Sequence, residues 1–219
     1  MAIDRLDELR TAAQQEADKE SDPHIGTAEW TRRVNEGYRS LWNLVRSEND
    51  DFFLEKVAAT VATQANNFLS VTLGNNRLRQ LWYVTGSTPD DYERVRRWNM
   101  EERPWDRQYK VAGGTVYIYP STLAVGTYSL WREPVWTELV ADGDTIHTNL
   151  IEWAEYIYLY AALGGKGKEE GDASLLGQRL GRLEKEILQI VQDLDNGEPS
   201  RVVDSQRPHY YRPERLPRP

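Results

Sequence analysis

Apolar side chains recur at helical spacing in the first 47 residues of the chain. Between residues 2 and 20 they repeat every three or four residues, and Asp22-Pro23 then predicts a helix end. A second repeat follows Thr27, a residue type that often caps a helix. Its members are Trp30, Val34, Tyr38, Leu41, Trp42 and Val45. The pattern predicts two amphipathic helices, which form the first part of a helical bundle over residues 1–47.

The periodicity then changes, and the sequence up to about residue 140 consists of short β-rich runs between Gly, Asn and Pro. The clearest is 108–119, where Gly113-Gly114 separates two apolar runs and predicts a hairpin turn. Further strands are predicted at 78–84 and 127–131, while 92–100 is ambiguous. These runs predict a small antiparallel β-subdomain over 48–140.

Helical spacing returns after residue 140. One stripe lies between Leu150 and Leu163 and is followed by Gly164-Gly165, which predicts its end. Another begins after Asp172, a predicted cap, and has nearly the heptad spacing that is typical of a helix packed along a partner helix. Its members are Leu176, Leu180, Leu183, Ile187, Ile190 and Leu194, with Gly197 as the stop.

Together these patterns predict an α+β protein that is mainly helical. The helices of 1–47 and 141–196 form one helical bundle, and the β-subdomain of 48–140 is inserted into it. An extended C-terminal arm, 197–219, completes the chain.

This last segment holds five of the ten prolines and five arginines against three acidic residues. Proline at this density prevents helix and sheet, and in polyproline geometry the segment would reach about 70 Å at about 3.1 Å per residue. Its aromatic side chains distinguish it from a purely solvating tail, which is the alternative interpretation. We interpret it as a docking arm, whose contact residues are predicted to be Arg207, Pro208, His209, Tyr210, Tyr211, Arg212, Pro213, Arg215 and Leu216.

The composition narrows the classes of function. The chain has no cysteine, so disulfides, thiolate metal sites and a cysteine nucleophile are excluded. Its three histidines lie far apart in sequence, which disfavours a histidine-based metal site or triad. No apolar run approaches the roughly 20 residues that a bilayer requires, and the N-terminal residues are polar rather than signal-like. We expect a soluble protein folded in the cytoplasm, with no membrane partner, cofactor or metal.

Asp142 and Asp144 form the best carboxylate pair for an enzyme, because neighbouring aspartates can hold a hard cation. The favoured alternative is a turn with a helix cap, since Asp and Gly are turn residues and a helix is predicted to begin within a few positions.

Arginines alternate with aromatic residues between positions 77 and 107. Three interpretations stay open: arginines that are solvated or stacked on rings, a contact with another subunit, and a surface for single-stranded nucleic acid. The formal net charge of -8 disfavours the last, because phosphate binding needs a positive protein. The candidate inter-subunit surface consists of Arg94, Arg96, Arg97, Trp98 and Trp105.

The order of predicted elements, together with several short motifs, resembles the head-to-tail adaptor (connector) proteins of tailed phages. The order is two helices, a Trp/Tyr-rich β-region, two helices and an arm, and the resemblance covers about residues 27–195. The motifs are NEGYRSLW at 35–42, YKVAGG at 109–114 leading to YIYP at 117–120, GTYSLW at 126–131, then Leu139, Asp142, Asp144 and the helix at 153–162.

The resemblance implies a structural virion protein of the neck, made in the host cytoplasm, and not an enzyme. It implies a homo-oligomeric ring, commonly of twelve copies, that docks its arm into the portal protein and carries the next tail or neck protein. Genomic DNA would pass through the lumen, and an acidic lumen wall would repel phosphate rather than trap it. The alternatives are another phage neck or tail-completion protein and, more distantly, a nucleic-acid-binding module.

Overall fold

The structure is a computed structural model, and it describes residues 3–18, 25–86, 91–99, 104–166 and 173–196. The described residues form two units. The helical unit lies within Met1–Leu54 and Pro134–Asn196, and the strand unit lies within Glu55–Glu133. The chain therefore enters and leaves the strand unit inside the limits predicted for the β-subdomain.

Four α-helices and seven strands occur in the described part of the chain. The helices are α1 (Leu6–Glu16), α2 (Thr27–Glu48), α3 (Ala154–Lys166) and α4 (Ala173–Asn196). The strands are β1 (Glu55–Val61), β2 (Arg77–Val84), β3 (Tyr92–Arg94), β4 (Arg96–Arg97), β5 (Gln108–Ala112), β6 (Thr115–Tyr119) and β7 (Gly126–Glu133). Short 3-10 helices lie at Ser121–Leu123 and Thr148–Trp153.

The prediction of a mainly helical bundle with a small inserted antiparallel β-subdomain is wrong. The chain is α+β, and its strands build a four-stranded and a three-stranded sheet, with β4 parallel to β5. The error has a physical cause, because the extent of a strand is set by its pairing with distant segments. β1 pairs with β7 over its whole length, and its Val57, Ala59 and Val61 alternate toward the core, but this short pattern does not reveal a partner strand so distant in sequence.

Together with α2, α3 forms the centre of the helical unit, since each of the two packs against the other three helices. α3 is apolar on most sides, as expected for a helix surrounded by others. The six apolar residues of the stripe predicted between Trp30 and Val45 are all buried, which confirms the amphipathic character of α2. Gly37 lets α2 and α3 approach closely, because a Cβ there would lie 2.8 Å from the Ile157 carbonyl oxygen.

Two predicted helix ends are wrong. Thr27 is the first residue of α2 rather than its cap, and Gly26 takes the cap position without a side-chain hydrogen bond. Gly164-Gly165 do not stop α3, which continues to Lys166. A Cβ at Gly165 would lie 2.7 Å from the Trp30 ring, so this glycine serves helix packing despite its low intrinsic helix propensity.

α4 carries the predicted apolar stripe as far as Ile187, and the stripe differs from the prediction beyond that residue. Its buried members are Leu176, Leu180, Ile187 and Val191. Ile190 and Leu194, which the spacing placed on the seam, are 38% and 37% exposed. An α-helix drifts by about 20° per heptad relative to an exact 3.5-residue repeat, so the buried position moves from residue 190 to residue 191. The predicted cap Asp172 and stop Gly197 lie outside the described residues.

The strand unit consists of two sheets, ordered β1-β7-β2-β3 and β4-β5-β6. Residues 92–97 belong to both, because β3 pairs with β2, β4 pairs with β5, and Val95 between them donates its N–H to the Leu81 carbonyl at 2.9 Å. The inner faces of the sheets share one hydrophobic core. Its largest members include Leu81, Ile118, Tyr128 and Leu130.

Candidate inter-subunit surface

The outer face of the three-stranded sheet carries aromatic and basic side chains. Opposed residues of an antiparallel pair share a face, and β5 and β6 oppose Lys110 to Tyr117 and Gln108 to Tyr119. The alternate residues of both strands, among them Val116 and Ile118, face the core. Because successive side chains of a strand lie on opposite faces, the two tyrosines of β6 lie on the face opposite to Val116 and Ile118.

We call this surface the aromatic–basic face and define it by Phe68, Arg96, Trp98, Lys110, Tyr117 and Tyr119. Its rings contact one another in two pairs: the Trp98 and Tyr119 centroids lie 4.7 Å apart, and those of Phe68 and Tyr117 lie 6.2 Å apart. The Trp98 N–H donates to the Tyr109 carbonyl at 2.8 Å, which fixes the backbone beside the first pair. The rings are thus held in place before any partner binds.

The charge on this face differs from that of the chain as a whole. None of the residues that β4, β5 and β6 place on it is acidic, and Arg96 lies opposite Gln108 at its edge. The sequence between residues 55 and 133 contains 10 basic and 8 acidic residues, a net charge of +2. The sequence of 1–54 and 134–196 contains 12 basic and 24 acidic residues, a net charge of -12. The acidity of the protein is therefore concentrated away from the strand unit.

The structure separates the five residues predicted for an inter-subunit surface. Arg96 and Trp98 lie on the aromatic–basic face, whereas Arg94 opposes Trp82 on the four-stranded sheet. Arg97 follows Arg96 in β4, the edge strand of the three-stranded sheet, and is exposed. Trp105 is 82% exposed and precedes β5.

Ring stacking and ion pairing account for two other arginines of the same stretch. The Arg107 guanidinium lies 3.7 Å from the centroid of the Tyr83 ring and bonds to Glu93 at 3.3 Å. Arg79 pairs with the buried Glu133 at 3.1 Å. Arg107 thus fits the interpretation of arginines that are solvated or stacked on rings, whereas the ion pair of Arg79 is not among the three interpretations.

Sequence reasoning missed four members of the aromatic–basic face: Phe68, Lys110, Tyr117 and Tyr119. The alternation of β6 held the signal for its two tyrosines. Phe68 has no such signal, since it reaches the face through an isolated bridge to Tyr117.

The loop 138–144 is a second exposed feature, in the helical unit, and we call it the Val140 loop. Val140 is 79% exposed, although the loop beneath it is tightly fixed. The buried Asn35 side chain donates to the Leu139 carbonyl and accepts from the Leu139 N–H, both at 2.9 Å. Asp144 accepts the N–H groups of Val140 and Ala141 at 2.7 and 2.8 Å, and these bonds lower the pKa of its carboxyl.

The same contacts bear on the carboxylate pair Asp142 and Asp144. Both side chains are engaged, because Asp142 bonds to Arg10 at 2.8 Å while Asp144 holds the loop. The predicted turn is confirmed, but the predicted helix cap is wrong, since the following helix begins at Thr148 with His147 as its cap. The described ranges contain no group of three or more residues that would suit a metal ion.

The residues predicted for the docking arm, Arg207 to Leu216, lie outside the described residues. Among the helices that the structure does describe, none is long and apolar enough to span a bilayer. Comparison with protein-family models and with curated proteins finds no match to this chain.

Asn35 offers a test of what holds the Val140 loop. Asn35→Leu is expected to lower the free energy of unfolding by about 2 to 6 kcal/mol, because two buried backbone groups would each lose a partner at about 1 to 3 kcal/mol. Asn43→Leu, at an exposed site of the same helix, is the matched control and should change it by less than about 1 kcal/mol. Urea unfolding measures both, and equal effects would show that the bonds to Leu139 contribute little.

Proposed function

We propose that the protein is a structural head-to-tail adaptor of a tailed phage. In this role it forms a ring between the portal and the next tail or neck protein, and DNA passes through the ring. The observation that carries the proposal is the set of adaptor-like motifs, which extends over both units of the fold. One of them, 35–42, lies within α2.

The positions of this motif support the proposal because its residues organise the helical unit. Asn35 fixes the Val140 loop, and the Tyr38 hydroxyl accepts the His147 N–H at 3.1 Å. Trp42 stacks on Phe53 with their centroids 3.8 Å apart. A motif that joins α2 to segments distant in sequence is expected to persist in a family of shared fold.

The exposed features of both units support assembly into a ring. Rings with polar handles, and arginine, are enriched at the centre of protein interfaces. A face that presents two pre-packed ring pairs with basic side chains is typical of such a surface. The sequence of the helical unit carries the opposite net charge on the same chain.

The portal contact is assigned to the arm on its composition alone. Prolines restrict its backbone and so reduce the entropy lost on docking, and Tyr210, Tyr211 and Arg212 are suitable anchors. The test of the proposal is co-sedimentation with portal rings of the phage that encodes the chain. Saturable binding supports it, and the absence of binding under all salt conditions would refute it.

A nucleic-acid-binding module is the second candidate, and the aromatic–basic face is the observation that favours it. We expect the acidic protein to bind duplex and single-stranded DNA no more tightly than non-specific binders, with a Kd above about 1 μM at physiological salt. A fluorescence anisotropy titration at two salt concentrations measures this. Sub-micromolar binding that weakens steeply with salt would favour the second candidate over the adaptor.

A further inference from the structure

We propose that the aromatic–basic face of one copy binds the Val140 loop of the next copy. The proposal rests on the ring assembly above and names the two surfaces that meet in it. The contact is head-to-tail, since the two surfaces are different parts of the same chain.

The first step concerns the face. Phe68 is 42% exposed, and Tyr117 and Tyr119 are half-buried beside it, so apolar ring surface remains in contact with water. The ring pairs restrict side-chain freedom before binding, which lowers the entropy lost in a complex. The face is prepared to receive an apolar side chain.

The second step concerns the loop. Val140 projects into solvent from a backbone that Asn35 and Asp144 hold with four hydrogen bonds. A fixed loop with an exposed apolar residue at its tip loses little conformational entropy when it docks. We therefore place the Val140 side chain against the rings of the aromatic–basic face.

The third step is charge complementarity. The exposed carboxylate of Glu138 lies two residues before Val140 in the sequence, and Arg96 and Lys110 lie on the aromatic–basic face. Opposite charges around an apolar contact guide the encounter and fix its register more than they add affinity. The net charge of -12 for the sequence of the helical unit, against +2 for that of the strand unit, favours this pairing and opposes contacts between like units.

The fourth step follows from symmetry. When two copies meet through two different surfaces, one copy still has a free aromatic–basic face and the other still has a free Val140 loop. Further copies can therefore add in the same direction. Such heterologous contacts give a closed ring when the rotation between neighbours closes, whereas a contact of one surface with itself stops at a dimer.

The experiment is cysteine trapping, which the absence of native cysteine makes clean. Lys110→Cys and Val140→Cys are placed in separate chains, mixed, oxidised and separated on a non-reducing gel. A covalent dimer is expected from the mixture at several times the yield of either variant alone, because disulfides require Cβ atoms about 4 Å apart. With both substitutions in one chain, we expect a ladder that extends beyond the dimer.

The matched control replaces Val140→Cys by Leu175→Cys, an apolar residue of α4 that is 58% exposed. Equal dimer yields from Val140→Cys and Leu175→Cys would overturn the proposal, as would a doubly substituted chain that stops at the dimer.

A second experiment reverses the charges at the contact. Lys110→Glu and Glu138→Lys should each weaken association at least tenfold in sedimentation velocity, and their mixture should restore it. No loss, or no restoration, would count against the contact.

The two proposals fail in different ways. Rings that form on the portal but give no Lys110–Val140 disulfide would overturn this contact and leave the adaptor function standing. Copies that neither associate nor bind the portal would overturn both. Competition of oligo(dT) for the face, with loss of its binding in Tyr119→Ala, would assign the face to nucleic acid instead.

Discussion

Ile187→Asp is expected to unfold the helical unit. Ile187 is fully buried on α4, and a carboxylate there has no partner to replace its water. The cost, about 4 kcal/mol or more, is a large part of a total stability of about 5 to 15 kcal/mol. Thermal melting followed by circular dichroism should show the helical signal lost at a much lower temperature or absent from the start.

Ile190→Asp is the matched control, three residues further along the same helix. Ile190 is partly exposed, so its carboxylate stays hydrated, and the free energy of unfolding should change by less than about 1 kcal/mol. Comparison of the two variants distinguishes the structure, in which Ile190 is partly exposed, from the heptad prediction, in which Ile190 lies on the seam. Similar losses from both substitutions would mean that α4 is rotated relative to the structure described above.

Removal of residues 200–219 is expected to abolish attachment to the portal while the melting temperature stays within about two degrees. The arm is predicted to carry the contact, and its prolines are too dense for regular structure in a core. Replacement of Tyr210, Tyr211 and Arg212 by alanine should weaken binding at least about thirtyfold, since buried aromatic and arginine anchors commonly cost about 2 kcal/mol or more.

A triple alanine variant at Asp204, Ser205 and Gln206 is the control, and it should bind portal rings like the intact chain. Co-sedimentation with assembled portal rings gives the affinities. If the truncated protein still co-sediments like the intact one, the arm is a passive tail and the docking surface lies elsewhere in the chain.

The helices are predicted well because the apolar residues of a buried helix face recur every three or four positions in the sequence. The six apolar residues of the stripe from Trp30 to Val45 are all buried, although α2 begins at Thr27 itself rather than after it. The β5–β6 hairpin is also local, and Gly113 and Gly114 have φ values of 57° and 76°, the positive angles that such a turn requires. Features of this kind depend on neighbours within a few residues.

The extent of the sheets could not be read in the same way. β1 and β7 are distant in sequence and pair over seven residues, and residues 92–97 change sheets at Val95. Tertiary contacts determine both the strand pairing and the change of sheet. A single sequence does not show these contacts, so it predicts only a small β-insertion. The ambiguity of 92–100 reflects a segment that belongs to two sheets at once.

Part of the candidate site was accessible from the sequence and part was not. Alternation places Tyr117 and Tyr119 outward, and the concentration of arginine and tryptophan predicts two members of the aromatic–basic face, Arg96 and Trp98. The Val140 loop depends on a bond between Asn35 and Leu139, which are 104 residues apart. A long-range hydrogen bond of this kind leaves no pattern in a single sequence.

Negative-stain electron microscopy of the protein, alone and after mixing with portal rings, tests the ring most directly. We predict closed rings with an open central channel, stacked coaxially on the portal when it is present. Particles that remain monomeric under both conditions, or that grow into open filaments without closing, would contradict the adaptor function.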